Sequence, residues 1–174
     1  MDVVTQLAIE ARSGDASAIA SFVRATQQDV WRLCSLLGRR GEADDLTQET
    51  FLRVLRSLPQ FRADSPAKMW VLGIARRTCA DDFRVAFRTK RLGERLRLNA
   101  LVDQRPVDQS TSGISAIVAE LDDERREAFV LTQVIGLSYD EAAEVCGCPT
   151  GTIRSRVARA RQQLTQKIRD AEAI

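Results

Sequence analysis

The stretch GLSYDEAAEVCGCPTGTIRSRVARAR, residues 136–161, holds more structural information than any other part of this chain. Ser138-Tyr139-Asp140-Glu141 has the S-x-x-E spacing of a capping box, in which the hydroxyl and the carboxylate satisfy backbone N–H groups at a helix start. A short helix is therefore expected over Tyr139–Cys146, broken by Gly147-Cys148-Pro149 and followed at once by a long helix over Thr150–Arg169. A short helix, a glycine-containing turn and a second helix have the outline of a helix-turn-helix, whose second helix lies in the major groove. At about 100° per residue, Ile153, Val157, Ala160, Leu164 and Ile168 share one stripe of the second helix, which predicts an inward face. Ser155, Ala158 and Gln162 then point outward, flanked by Arg154, Arg156, Arg159 and Arg161, and no acidic residue occurs between Pro149 and Arg169. Such a surface suits phosphates and the acceptor atoms of guanine, and Ser155 is small enough to let the backbone approach. A solvated helix with charged flanks is the competing reading, and the preceding short helix weighs against it.

Upstream, residues 103–113 read DQRPVDQSTSG, nearly devoid of apolar side chains and rich in turn formers. We expect a flexible linker at 93–112, separating a domain at 1–92 from one at 113–174. The four prolines, at 59, 66, 106 and 149, leave long intervals of good helix formers. The fold class expected is all-α, two small helical domains joined by the linker. In the first domain, helices are expected over Val3–Arg12, Asp15–Leu37, Ala43–Leu58 and from Ser65-Pro66 to about Arg88. In the second, helices are expected over Ile114–Leu121 and Asp123–Ile135 before the terminal pair. In the fourth helix, Leu72, Ala75, Cys79, Phe83 and Ala86 form the predicted core stripe. Trp70, Ile74, Arg77, Arg84 and Arg88 share another face, an aromatic beside cations, which is what unpaired bases and their phosphates require. Packing of Trp70 and Ile74 on a neighbouring helix explains the same pattern equally well.

Composition narrows the chemistry. The chain has 174 residues, 44% hydrophobic and 29% charged, with 26 Lys plus Arg against 24 Asp plus Glu, so charge distribution rather than net charge must argue for a nucleic acid. The absence of histidine removes His-dependent triads, His general bases and His-ligated zinc. Cys34, Cys79, Cys146 and Cys148 are read as reduced thiols, and Cys146-Gly147-Cys148 lacks the spacing of a zinc site. Asp44, Asp45 and Glu49 gather at the start of a helix, where the dipole favours carboxylates. A magnesium site there has no second acidic cluster to complete it, and an acidic protein-binding helix is the better reading. No catalytic, metal or cofactor residues are assigned. The N-terminus lacks the form of a signal peptide and the longest apolar run, Met69–Ala75, is far too short to span a bilayer, so a cytoplasmic protein without membrane contact is expected.

ADDLTQETFLRVLRSLPQFRADSPAKMWVLGIAR at 43–76, a polar gap, and LDDERREAFVLTQVIGLSYDEAAEVCGCPTGTIRSRVARAR at 121–161 together resemble an extracytoplasmic-function (ECF) sigma factor. ATQQDVW and VCGCPTGTIRSRVARAR look most similar to the branch called sigma C. The resemblance implies a non-enzymatic protein that binds core RNA polymerase and directs it to promoter DNA. It implies that Asp44, Asp45, Leu46, Gln48, Glu49, Phe51 and Leu52 contact the clamp helices of the largest subunit, and that the C-terminal domain meets the flap of the second-largest. Phe61, Arg62, Asp64, Ser65, Lys68, Trp70, Arg76, Arg77 and Arg84 would open the minus-ten element and hold a flipped base. Thr150, Thr152, Arg154, Ser155, Arg156, Arg159 and Arg161 would bind the minus-thirty-five element, with Arg156 and Arg161 on phosphates. Arg77 stands where many relatives have asparagine, which puts the preferred minus-ten base in question. Many relatives also have a dedicated anti-sigma factor, a partner this sequence leaves open. An autonomous helix-turn-helix regulator is the alternative reading, and a carboxylate-dependent nuclease a third.

Overall fold

The structure, a computed structural model, describes the backbone of residues 1–96 and 113–172, with side chains placed for 1–89 and 115–170. Within these, α1 (Val3–Ala11), α2 (Ala16–Leu37), α3 (Ala43–Ser57) and α4 (Ala67–Leu96) precede α5 (Gly113–Val118), α6 (Asp123–Phe129), α7 (Tyr139–Cys146) and α8 (Thr150–Glu172). The expected linker lies outside the described residues except at its start, where α4 continues past Gly93 to Leu96.

Local sequence sets the boundaries. Asp2, Asp15, Asp122 and Ser138 each cap a helix by accepting the N–H three residues on, and at Ser138 the reciprocal bond from its N–H to Glu141 completes the expected capping box. Gly147 ends α7 at φ 65°, a left-handed conformation that glycine adopts without steric cost. The third helix stops one residue earlier than expected, and Leu58–Gln60 form a 3-10 turn around Pro59. The sixth is shorter than expected: its regular turns end at Phe129 and Val130–Val134 continue as a wide π turn.

Helix α2 is the axis of the N-terminal half, packed by α1, α3 and α4. Cys34 is fully buried where three helices meet, its Sγ 3.9 Å from Cys79 on α4 and 4.0 Å from the Thr50 hydroxyl on α3. The hydrogen bond between the two thiols and burial hold Cys79 protonated far above its ordinary range, while the same bond draws Cys34 below its own, and both side chains pack in the core. At the α2–α3 corner, a Cβ on Gly38 would come within 2.3 Å of Leu46 Cδ1 and 2.5 Å of the Cys34 carbonyl oxygen. Leu46 is buried against this corner, beneath the exposed residues of α3.

In the C-terminal half α8 packs on α6 and α7, with Ile153, Val157, Ala160 and Leu164 buried as the stripe predicts. Ile168, the last of that stripe, is 46% exposed, a correction whose cause is that α8 runs on past its partners. The fourth helix departs the same way: Leu72, Ala75 and Cys79 are buried, whereas Phe83 is 42% exposed. Ile74 is buried, so it leaves the outward face on which the pattern placed it. The halves also touch, α4 against α7 and α2 against the π turn, so that most of their buried apolar residues form one cluster, with Leu121, Ala160 and Leu164 in a second, smaller one.

Candidate nucleic-acid interface

Burying the Ile153 stripe turns the opposite side of α8 to solvent. Arg154, Ser155, Arg159 and Arg161 are exposed, while Thr150, Thr152 and Arg156 are half-buried at the edges. Arg154 and Arg159 make no hydrogen bond or ion pair among the described residues, leaving their N–H groups free for a ligand. The edge residues are held from below. Arg156 pairs with Glu124 at 2.7 Å, Arg161 donates to the Gln133 side-chain Oε1 at 2.6 Å, and the Thr150 hydroxyl donates to Asp140 at 2.7 Å. Between α6 and α8 lies an open cavity of about 400 Å³ lined by Asp122, Asp123 and Glu124 on one wall and Ser155, Arg156 and Arg159 on the other. Each carboxylate of that wall is ion-paired, Asp122 with Arg125 at 3.0 Å, Asp123 with Arg126 at 3.5 Å and Glu124 with Arg156, and Arg125 lines the cavity as well.

The second surface is the loop 61–66 with the first turns of α4. Phe61 is buried and packs on half-buried Trp70, ring centroids 4.7 Å apart, and so supports this surface from beneath. Ala63 adopts φ 57° in this loop, an uncommon left-handed conformation for a residue with a Cβ. The loop is anchored by a contact that no sequence pattern disclosed: Ala67 N–H donates to the buried Thr5 hydroxyl at 2.8 Å, and that hydroxyl donates to Asp2 at 2.6 Å. Arg62 and Asp64 are exposed, Ser65 and Lys68 half-buried, and Lys68 pairs with Asp29 at 2.7 Å.

This surface meets the C-terminal half directly. Arg76 forms a hydrogen-bonded ion pair with Glu127 of α6, and a small cavity beside Trp70, bounded by Ser65, Met69, Gly73 and Arg77, has Glu144 and Val145 of α7 as its other wall. Burial disfavours the Arg76 charge, and the Glu127 carboxylate more than restores it, so its pKa lies above the ordinary value. Cys146, next to the pair, has its thiol pushed up to about 12 by burial and by the same carboxylate. Neither Glu127 nor Glu144 was a sequence candidate, because an acidic residue on a charged helix gives no sign of which distant cation it meets.

The third surface is the outer side of α3. Asp44, Asp45, Gln48 and Leu52 are exposed, with Glu49 and Phe51 half-buried beside them. Trp31 of α2, 47% exposed, donates from Nε1 to Asp44 Oδ1 at 2.8 Å and extends this patch. An exposed indole bonded to a carboxylate among acids and an exposed leucine makes a surface suited to a partner helix.

Residues 22–89 match the model of Sigma-70 region 2, and residues 113–164 match that of Sigma-70 region 4. The chain is 46% identical to the ECF RNA polymerase sigma factor SigC of Mycobacterium tuberculosis over 98% of its length and 92% of the relative's. The chain is an ECF sigma factor of the sigma C branch. The sigma factor is also 35% identical to EcfG of Rhodopseudomonas palustris, over 75% of this chain and 74% of that one. Its fold matches CnrH, solved with the cytosolic domain of CnrY, at TM-score 0.76 and 26% identity over 97% of this chain and 99% of that one. RpoE of Bartonella quintana, solved with the anti-sigma factor NepR, matches at TM-score 0.72 and 25% identity over 86% and 96%. Among the described residues, no helix of the sigma factor is long and apolar enough to cross a membrane.

Proposed function

We propose that this sigma factor docks on the clamp helices of core RNA polymerase through Asp44, Asp45, Gln48, Glu49, Phe51 and Leu52, with region 4 on the flap of the second-largest subunit. Region 4 then binds the minus-thirty-five element through Arg154, Ser155 and Arg159, steadied on phosphates by Arg156 and Arg161. The loop 61–66 and α4 capture unpaired bases of the minus-ten element, whose stacking and pocket contacts offset the cost of unpairing. It does so in the cytoplasm, without a reaction of its own. The observation that supports this reading best is the outer face of α8, where Arg154 and Arg159 stand unpaired over a fully buried stripe. An anti-sigma factor is a partner we infer for the same surfaces. Because Glu127, Glu144 and Val145 lie against the minus-ten surface, the halves part before both elements are bound at once.

Run-off transcription with core enzyme tests the proposal: adding the full chain should raise promoter-dependent initiation well above background, and background levels across a broad promoter library would reject it. An autonomous regulator, the reading not favoured by family membership, would bind a specific duplex without polymerase.

A further inference from the structure

Arg77 stands between two cavities. On one side Arg77 borders the cavity beside Trp70, and on the other it borders an open cleft of about 350 Å³ between α3 and α4, lined by Arg53, Ser57, Ile74, Arg77, Asp81 and Arg84. The guanidinium lies back over Gly73, where a Cβ would sit 3.7 Å from Nη1, and so spans the ridge between the cavities. The cleft is built to hold cations in place. Arg53 is fixed by Glu49 at 2.8 Å and Asp81 at 2.7 Å, using two of its five N–H donors. Arg84 touches the same Asp81 at only 3.4 Å and is 72% exposed. Arg77 has no hydrogen bond or ion pair among the described residues. Three guanidinium groups thus line a cleft with a single carboxylate, Asp81, which only Arg53 and Arg84 engage.

We propose that this cleft binds a phosphate of the single-stranded non-template strand and that Arg77 is a phosphate ligand, not a reader of base identity. The proposal rests on the minus-ten reading and deepens it. An aromatic-walled cavity and a cationic cleft sharing one arginine fit the base and the backbone of one nucleotide, since a guanidinium donates bidentately to phosphate oxygens. Unlike the cavity beside Trp70, the cleft is walled by α3 and α4 alone, so the C-terminal half does not cover it.

The test uses the full chain with core polymerase on promoters carrying each of the four bases at the flipped position. Arg77→Ala should lower open-complex formation about tenfold whichever base is present, and reduce the slope of log affinity against log salt by about one. Arg77→Lys should recover much of the loss. Replacing single non-template phosphates by methylphosphonates should identify one position that weakens the wild type about as much as Arg77→Ala does and costs the Ala variant nothing further. Arg84→Ala should show a smaller loss coupled to the same phosphate. A loss confined to one base, or full additivity of Arg77→Ala with every neutralised phosphate, overturns the proposal while leaving the minus-ten reading intact. Failure of the wild type to open any promoter overturns both.

Discussion

Helices α8 and α4 both carry several arginines on one side, yet the structure treats them differently. On α8 the inner stripe is fully buried from Ile153 to Ala160, and Arg154 and Arg159 face water without partners among the described residues. On α4 the first turns are wrapped, with Arg76 held by Glu127, Lys68 by Asp29, and the cavity beside Trp70 walled by α7. On the function proposed above, α8 meets a duplex groove that presents itself ready-made, which favours a rigid and uncovered reader. The α4 surface would then meet bases unpaired only after melting, and it tolerates being covered until that point.

The sharpest way to break this contrast is to remove what holds α8 rigid. Ile153→Ala should destabilise the C-terminal half by about 2–5 kcal/mol through the lost transfer energy and the cavity left behind. Urea unfolding followed by circular dichroism measures this, and a loss below about 1 kcal/mol would mean the stripe is less well packed than its burial indicates. Next in size is Arg154→Ala, expected to cost about 1–3 kcal/mol in discrimination between cognate and altered minus-thirty-five sequences. Competition binding with the holoenzyme reads it, and an equal loss on every sequence would reassign Arg154 to phosphate. The smallest effect belongs to the seam. Glu127→Gln removes an ion pair whose partners are both partly exposed, a change of about 1 kcal/mol after screening. It should leave folding intact and speed alkylation of Cys146, because the carboxylate that helps hold its thiol protonated is gone. Unchanged alkylation would show that burial alone protects the thiol.

Much of this was legible in the sequence because local signals act locally. The capping box at Ser138, the break at Gly147 and the stripe from Ile153 to Leu164 depend on neighbours within a turn or two, and each stands as the pattern predicts. The pattern was least reliable where a helix outlasts its neighbours: periodicity placed Phe83 and Ile168 inward, but burial needs something to pack against. Contacts between residues distant in sequence carried no such signal. Thr5 with Ala67, Trp31 with Asp44, and Arg76 with Glu127 depend on how helices are stacked, which no single helix encodes. The exposure of the arginine face of α8 was readable from spacing, whereas Leu46 and Phe61 are apolar residues whose sequence gives no sign of whether they lie at the surface or in the core.

The tight corner at Gly38 has a consequence for how this protein tolerates change. With a Cβ excluded by both Leu46 and the Cys34 carbonyl, any side chain there must displace Leu46 of α3 and the backbone that leaves the end of α2. A substitution at one small, unobtrusive position would tilt the acidic patch bodily, altering its aim while every charge on it stayed the same.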